Sequence, residues 1–217
     1  MDQERIRRET RRYLGYGKGK ADEAVEKLME SCLEELFSTA SPRSLCREFC
    51  LSLPEKDNQV ITEAFTAESG NLKKNLKDCK AILLFAATLG ASVDKLIQRY
   101  ERICMSRAVV LQAAAAALIE EYCDEENQRW KQEYEEKGWY LRPRFSPGYG
   151  DFSLECQRDI LNALEAGKRI GLTLTDSLLM VPSKSVTAII GLSRRPSACI
   201  LSGCEVCEKK DCIYRRG

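Results

Sequence analysis

The sequence predicts an α+β protein built around one sheet. Three observations carry this. Ala81-Ile82-Leu83-Leu84-Phe85-Ala86-Ala87 is a short, continuous apolar run, which fits a strand buried on both faces. Ser185 to Leu192 is rich in β-branched residues and partly alternating, which gives a second strand. Helical patterns cluster on either side of the first run and do not alternate with strands, so a doubly wound parallel sheet is disfavoured.

Each element has a local cause. Asp2 to about Tyr13 is charged and helical, and the glycines Gly15, Gly17 and Gly19 end it. Asp22 can cap a second helix running to about Phe37, where Ala24, Val25, Leu28, Cys32, Leu33 and Leu36 recur at helical spacing. Residues 44–65 read as two strands or a hairpin, split by the turn signal Pro54-Glu55-Lys56-Asp57-Asn58. Ser69 can cap a short helix through Leu76. Two helices follow the 81–87 run. The second extends from about Met105 to Lys137, contains Ala113 to Ala117, and stops at Gly138. Asp151 or Ser153 can cap a further helix to about Ala166. Thr88-Leu89-Gly90 reads as a strand-end turn. The chain divides into a helical extension (1–40), a core (41–198) and a cysteine-rich tail (199–217).

Composition removes several function classes. The chain has 217 residues, enough for one sizeable core, and 44% of them are apolar. Lys and Arg number 34 against 33 Asp and Glu, so no broad basic surface for nucleic acid is expected. No apolar run reaches the ~20 residues of a membrane span, and the charged N-terminus does not read as a signal peptide, so a cytoplasmic location is expected. Histidine is absent, which excludes Ser-His and Cys-His catalysis and histidine metal ligation within this chain. The 11 cysteines, an odd count, read as reduced thiols. Gly15-Tyr16-Gly17-Lys18-Gly19-Lys20 lacks the spacing of a phosphate loop.

The most informative stretch is Arg142-Pro143-Arg144-Phe145-Ser146-Pro147-Gly148-Tyr149-Gly150-Asp151. Two prolines stiffen it, and two glycines permit turns. A guanidinium presented in this way suits a carboxylate, and a tyrosine can stack on a flat ligand. In the tail, Cys199, Cys204, Cys207 and Cys212 place four thiols within fourteen residues, a spacing open to zinc or an iron–sulfur cluster. The other seven cysteines read as buried small hydrophobes.

Arg144-x-x-x-Gly148-Tyr149 resembles the S-adenosylmethionine (SAM)-binding motif of the reactivation, or activation, domain of cobalamin-dependent methionine synthase. Ile170 to Pro182 is similar to that domain's Thr-Glu-Ser…Pro segment, and Ser185-Val186 follows it. Arg12 to Tyr16, Ala86 to Gly90 and the whole 142–151 loop resemble small stand-alone relatives of the domain. The resemblance implies one activation-domain-like fold, a twisted, mostly antiparallel sheet with flanking helices. It implies a role in methionine biosynthesis, with SAM presented to cobalamin stranded as Co(II) while a flavodoxin- or ferredoxin-type protein donates an electron. Cobalamin would be held by a partner, a corrinoid-binding methionine synthase or related methyltransferase, so methyl transfer would occur at a cofactor bound elsewhere. Arg144, Gly148 and Tyr149 would bind SAM, and Tyr149 and Lys184 would face the cobalamin. SAM carries positive groups, so an acid is expected beside it; Glu120 is the candidate, with Glu121 and Glu125 as alternatives. The family's tyrosine pair falls here near Ile189 and Ile190. That departure, with no counterpart for the family's aspartate near the domain start, leaves open a docking module for a corrinoid protein that does not use SAM, and the four tail cysteines leave open a small metal-binding redox protein centred on the tail.

Overall fold

A computed structural model describes residues 1–16, 22–55 and 57–196. The elements run α1 (Gln3–Tyr13), α2 (Glu23–Thr39), β1 (Arg43–Ser52), β2 (Gln59–Thr62), β3 (Thr66–Glu68), α3 (Gly70–Asn75), β4 (Cys79–Thr88), α4 (Ala91–Ile103) and α5 (Met105–Glu136). β5 (Tyr140–Leu141), α6 (Cys156–Ala163), α7 (Ala166–Ile170), β6 (Thr173–Leu174), β7 (Met180–Val181) and β8 (Ser185–Ser193) follow. The main sheet has the order β3-β2-β1-β4-β8-β5, and every pairing in it is antiparallel. β6 and β7 form a separate hairpin. The fold is the expected α+β class.

β4 is the central strand because its sequence can be buried on both sides. Side chains alternate across a strand. Leu83, Phe85 and Ala87 therefore enter one core with α1, α2, α4 and α5 residues. Ile82, Leu84 and Ala86 enter a second core with residues of α3, α6 and α7. β8 repeats the pattern: Ile190 and Leu192 face the first core and Ile189 the second. Its burial is nearly continuous and not half-exposed, because helices cover both faces.

α5, about 48 Å long at 1.5 Å per residue, is the backbone of the first layer. Ala114, Ala115 and Ala117 are buried along it, and small side chains let its neighbours approach closely. α1 and α2 share this core through Ile6, Met29, Cys32, Leu33 and Leu36. Asp2 caps α1, accepting from the Glu4 and Arg5 amides, and Arg7–Glu30 and Arg11–Glu26 ion pairs join α1 to α2.

The helix expected to run to about Ala166 is α6, which starts later and stops at Ala163, and a second short helix, α7, begins at Ala166. Glu165 takes φ 52 between α6 and α7, a left-handed conformation that ends one helix and starts the other. Asp151 and Ser153 do not cap α6, whose N-cap is Glu155 with no side-chain cap bond. Asp151 reaches across the chain to α3 instead. It accepts from the Gly70 amide (2.8 Å), the Asn71 amide (3.1 Å) and the Ser69 hydroxyl. These bonds, led by that from Ser69, hold its carboxyl below the ordinary aspartate range. A depressed pKa gives stability that is present above the unfolded value and lost as pH falls through the folded one. Asp151→Ala is thus expected to lower Tm at pH 7, with the gap to wild type closing in acid. Melting curves of both proteins across pH check this, and a pH-independent gap would contradict it.

Candidate functional site

The 142–151 loop is fixed at three points. The Arg142 amide donates to Gly191 O (2.8 Å), and Phe145 exchanges two backbone bonds with Ile189 (2.9 and 2.8 Å). The Phe145 ring packs beside Phe152, centroids 6.2 Å apart, against the second core. Beyond Pro147, Gly148 turns the chain at φ 89 and donates to Phe152 O (2.8 Å). Asp151 ties the far end to α3. At Gly150, with φ 57, a Cβ would collide with the Asn71 side chain.

The anchoring directs Arg144 to α5. Its Nη2 donates to Asp124 Oδ1 (2.8 Å) and lies 3.4 Å from Glu120 Oε2. Its Nη1 is buried and has no hydrogen-bond partner. A buried guanidinium nitrogen without an acceptor is costly, and a carboxylate is the natural acceptor for it. Glu120, the acid expected beside the ligand, lies beside Arg144, with its side chain 45% exposed. The closer acid is Asp124, which the sequence reading did not single out. Its position one helical turn after Glu120 is the signal that could have found it.

The alternatives Glu121 and Glu125 have other partners. Glu121 pairs with Arg5 Nη1 (3.0 Å) and accepts from the Asp2 amide (3.1 Å). Glu125 pairs with the amino terminus (3.0 Å). Arg5 also pairs with Asp124, so Asp124 lies between two guanidinium groups. Burial works against the Arg5 charge, but the Asp124 hydrogen bond and the nearby carboxylates outweigh it and raise its pKa. Beside this network lies an open cleft of about 850 Å³, lined by Asp2, Arg5, Glu121, Asp124 and Glu125 among others.

Tyr149 is 66% exposed, its ring centroid 6.5 Å from that of Phe145. Lys184 is partly buried and donates to Gln112 O of α5 (3.4 Å). Burial depresses its pKa, and Asp94 opposes that. Gln112 and Glu120 are eight positions apart on α5, so Lys184 and Arg144 meet that helix about 12 Å apart along its axis. Exposed Leu179 and Val181 sit on the hairpin just before Lys184. Thr88 and Leu89 are fully buried, and the Leu89 amide donates to Lys184 O (3.0 Å), in keeping with a strand-end turn. Ile189 and Ile190 are both fully buried on opposite faces of β8.

Cys199, Cys204, Cys207 and Cys212 lie outside the described residues. Among the described residues no cluster of three or more His, Cys, Asp or Glu could hold a metal ion. Cys32, Cys79, Cys123 and Cys156 are buried as expected. Cys46 and Cys104 are only half-buried, and Cys50 is exposed because it lies on the outward-facing side of β1 near its end. Burial pushes the Cys46 and Cys123 thiols up to about 12, so they are inert at neutral pH.

An antiparallel sheet between two helical layers is the fold this chain shares with the activation domain of methionine synthase. Residues 64–198 match the family "vitamin B12 dependent methionine synthase, activation domain", and the chain belongs to that family. The structure is similar to a crystal structure of the MetH reactivation domain bound to AdoHcy. The TM-score is 0.65 over 89% of this chain and 76% of that one, at 17% sequence identity. No curated protein matches the chain.

Proposed function

We propose that this chain binds SAM at the Arg144 loop and presents it to cobalamin held by a corrinoid-binding methionine synthase or related methyltransferase. The observation that carries this reading is the buried, unpartnered Nη1 of Arg144 in a loop anchored on three sides. That nitrogen fits the carboxylate of SAM. Glu120, next to it and still accessible, fits the ammonium. Family membership supports the reactivation role, and the AdoHcy in the MetH domain supports a ligand of this chemistry.

In this reading the chain contributes binding and orientation. Arg144 and Glu120 grip the amino-acid end of SAM, and Gly148 shapes the turn that projects Tyr149. The Tyr149 ring and the Lys184 ammonium face the corrinoid, Lys184 toward its amide or phosphate groups. Partner-held cobalamin supplies the redox and methyl-accepting chemistry, with an electron from a flavodoxin- or ferredoxin-type donor.

Calorimetric titration of SAM into the purified chain tests the site, with 5′-methylthioadenosine, which lacks the amino-acid end, as comparison. SAM binding clearly tighter than that of methylthioadenosine supports the reading, and equal or absent binding of both contradicts it. A docking module that does not use SAM is the second reading. Buried Ile189 and Ile190 favour it, since they offer no hydroxyl where the family carries tyrosines.

Lys184 gives a separate expectation. Its folded pKa is lowered, so its charge costs stability below that pKa, and the cost fades as pH rises from the folded pKa to the unfolded value. Lys184→Met should leave Tm at pH 7 no lower than wild type while weakening binding to the corrinoid partner several-fold. Melting curves and a binding titration against that partner check both parts.

A further inference from the structure

The 142–151 loop ends on Asp124, and Asp124 ends on the N-terminal helix. Asp124 accepts from Arg144 Nη2 at 2.8 Å and from Arg5 of α1. Arg5 in turn holds Glu121, which also accepts from the Asp2 amide at the start of α1. α1 lies outside the segment that matches the family. This chain therefore adds a guanidinium to the Arg144 site from a segment the family match does not cover.

We propose that Asp124 and Arg5 are positioning residues for the ligand carboxylate, acting through Arg144; this rests on the SAM-binding reading above. Asp124 occupies Nη2 and fixes the plane of the guanidinium, which leaves Nη1 as the donor for the ligand. Without Asp124 the group can turn toward Glu120, already 3.4 Å away, and the donor is lost to the ligand. Alone, Asp124 would cancel the pull of Arg144 on a second carboxylate. Arg5 shares its charge, so Arg144 keeps its attraction for an incoming anion. All three side chains are partly buried, with exposures of 19% for Arg144 and 35% for both Asp124 and Arg5, so screening by solvent is incomplete.

The test compares Asp124→Asn, Arg5→Gln and the double variant, each titrated with SAM and with 5′-methylthioadenosine. Loss of a charge-assisted bond that orients the guanidinium should weaken SAM binding about ten-fold or more for Asp124→Asn. Methylthioadenosine affinity should not change. Arg5→Gln should weaken SAM binding, and in the Asp124→Asn background it should add little, since both act through one group. If Arg5 only fastens α1, Arg5→Gln will lower Tm and affect both ligands equally, which overturns the proposal. If Asp124 competes with the ligand, Asp124→Asn will tighten SAM binding, which also overturns it. A second readout needs no ligand: the Arg144 Nε–H resonance of the free protein should shift in both single variants, and an unchanged signal contradicts the linkage. Wild-type protein that binds no SAM defeats the underlying reading as well. SAM binding that is lost in Arg144→Ala but unchanged in Asp124→Asn defeats this proposal alone.

Discussion

Arg144→Ala is expected to weaken SAM binding by about a hundredfold or more. Removing one partner of a largely buried, hydrogen-bonded charge pair costs about 2–5 kcal/mol, much of it from the charge left unpaired. A hundredfold loss is about 2.7 kcal/mol, at the low end of that range. Arg144 is 19% exposed, and its Nη1 has no acceptor within the protein, so the ligand carboxylate would gain nearly the full benefit of the bond. The fold should survive. Asp124 keeps Arg5 as a partner, and Glu120 can turn to solvent. Arg144→Lys should fall between wild type and alanine, because an ammonium keeps the charge and loses the planar fork. Calorimetry on the three proteins, with melting curves as a folding control, checks this order. An alanine variant that binds SAM as wild type does would place the ligand elsewhere.

Phe85→Ala should destabilise the protein by about 3–5 kcal/mol. Phe85 is fully buried in β4, and its ring meets Trp130 of α5 edge-on, with centroids 4.9 Å apart and planes at 72°. The substitution removes the transfer energy of the ring, opens a cavity and deletes the aromatic pair. It also loosens α5 from the sheet at the level where Glu126 and Cys123 are buried, just beyond the acids that hold Arg144. For a chain of this size Tm should fall by roughly 10 °C. Denaturant unfolding of both proteins measures the loss, and a change below about 1 kcal/mol would contradict the central place given to β4.

Much of the fold was legible because its largest elements carry their own signals. The apolar run at Ala81–Ala87, short and bounded by Thr88-Leu89-Gly90, fits a strand buried on both faces, and it became the centre of the sheet. The caps at Asp22 and Ser69 act where the sequence puts them. What escaped was set by tertiary contact. β5, β6 and β7 are two residues long, too short to show a period, and exist because a neighbouring strand is there to pair with. Asp151 reads as a local cap, yet its helix is α3, some eighty residues earlier in the chain. Glu165 enters a left-handed conformation that nothing in its residue type announces.

The candidate site divides in the same way. Prolines and glycines showed that 142–151 is a shaped loop, and the resemblance pointed to Arg144, Gly148 and Tyr149. The acid opposite Arg144 could not be chosen by sequence, because Glu120, Glu121, Asp124 and Glu125 crowd two turns of one helix. Orientation around α5 decides it. Glu121 turns inward to Arg5, while Glu120 and Asp124 face the loop. The part played by Arg5 was hidden altogether, since it depends on α1 folding back over α5.

The most direct test of the account is a reductive methylation assay. The cobalamin-binding region of methionine synthase from the same organism, held as Co(II), is mixed with an electron donor, SAM and this chain. The visible absorption of the corrinoid is then followed. The account predicts conversion to methylcobalamin that requires both SAM and the chain and is lost with the Arg144→Ala variant. Conversion at the same rate without the chain, or with the variant in its place, would contradict it.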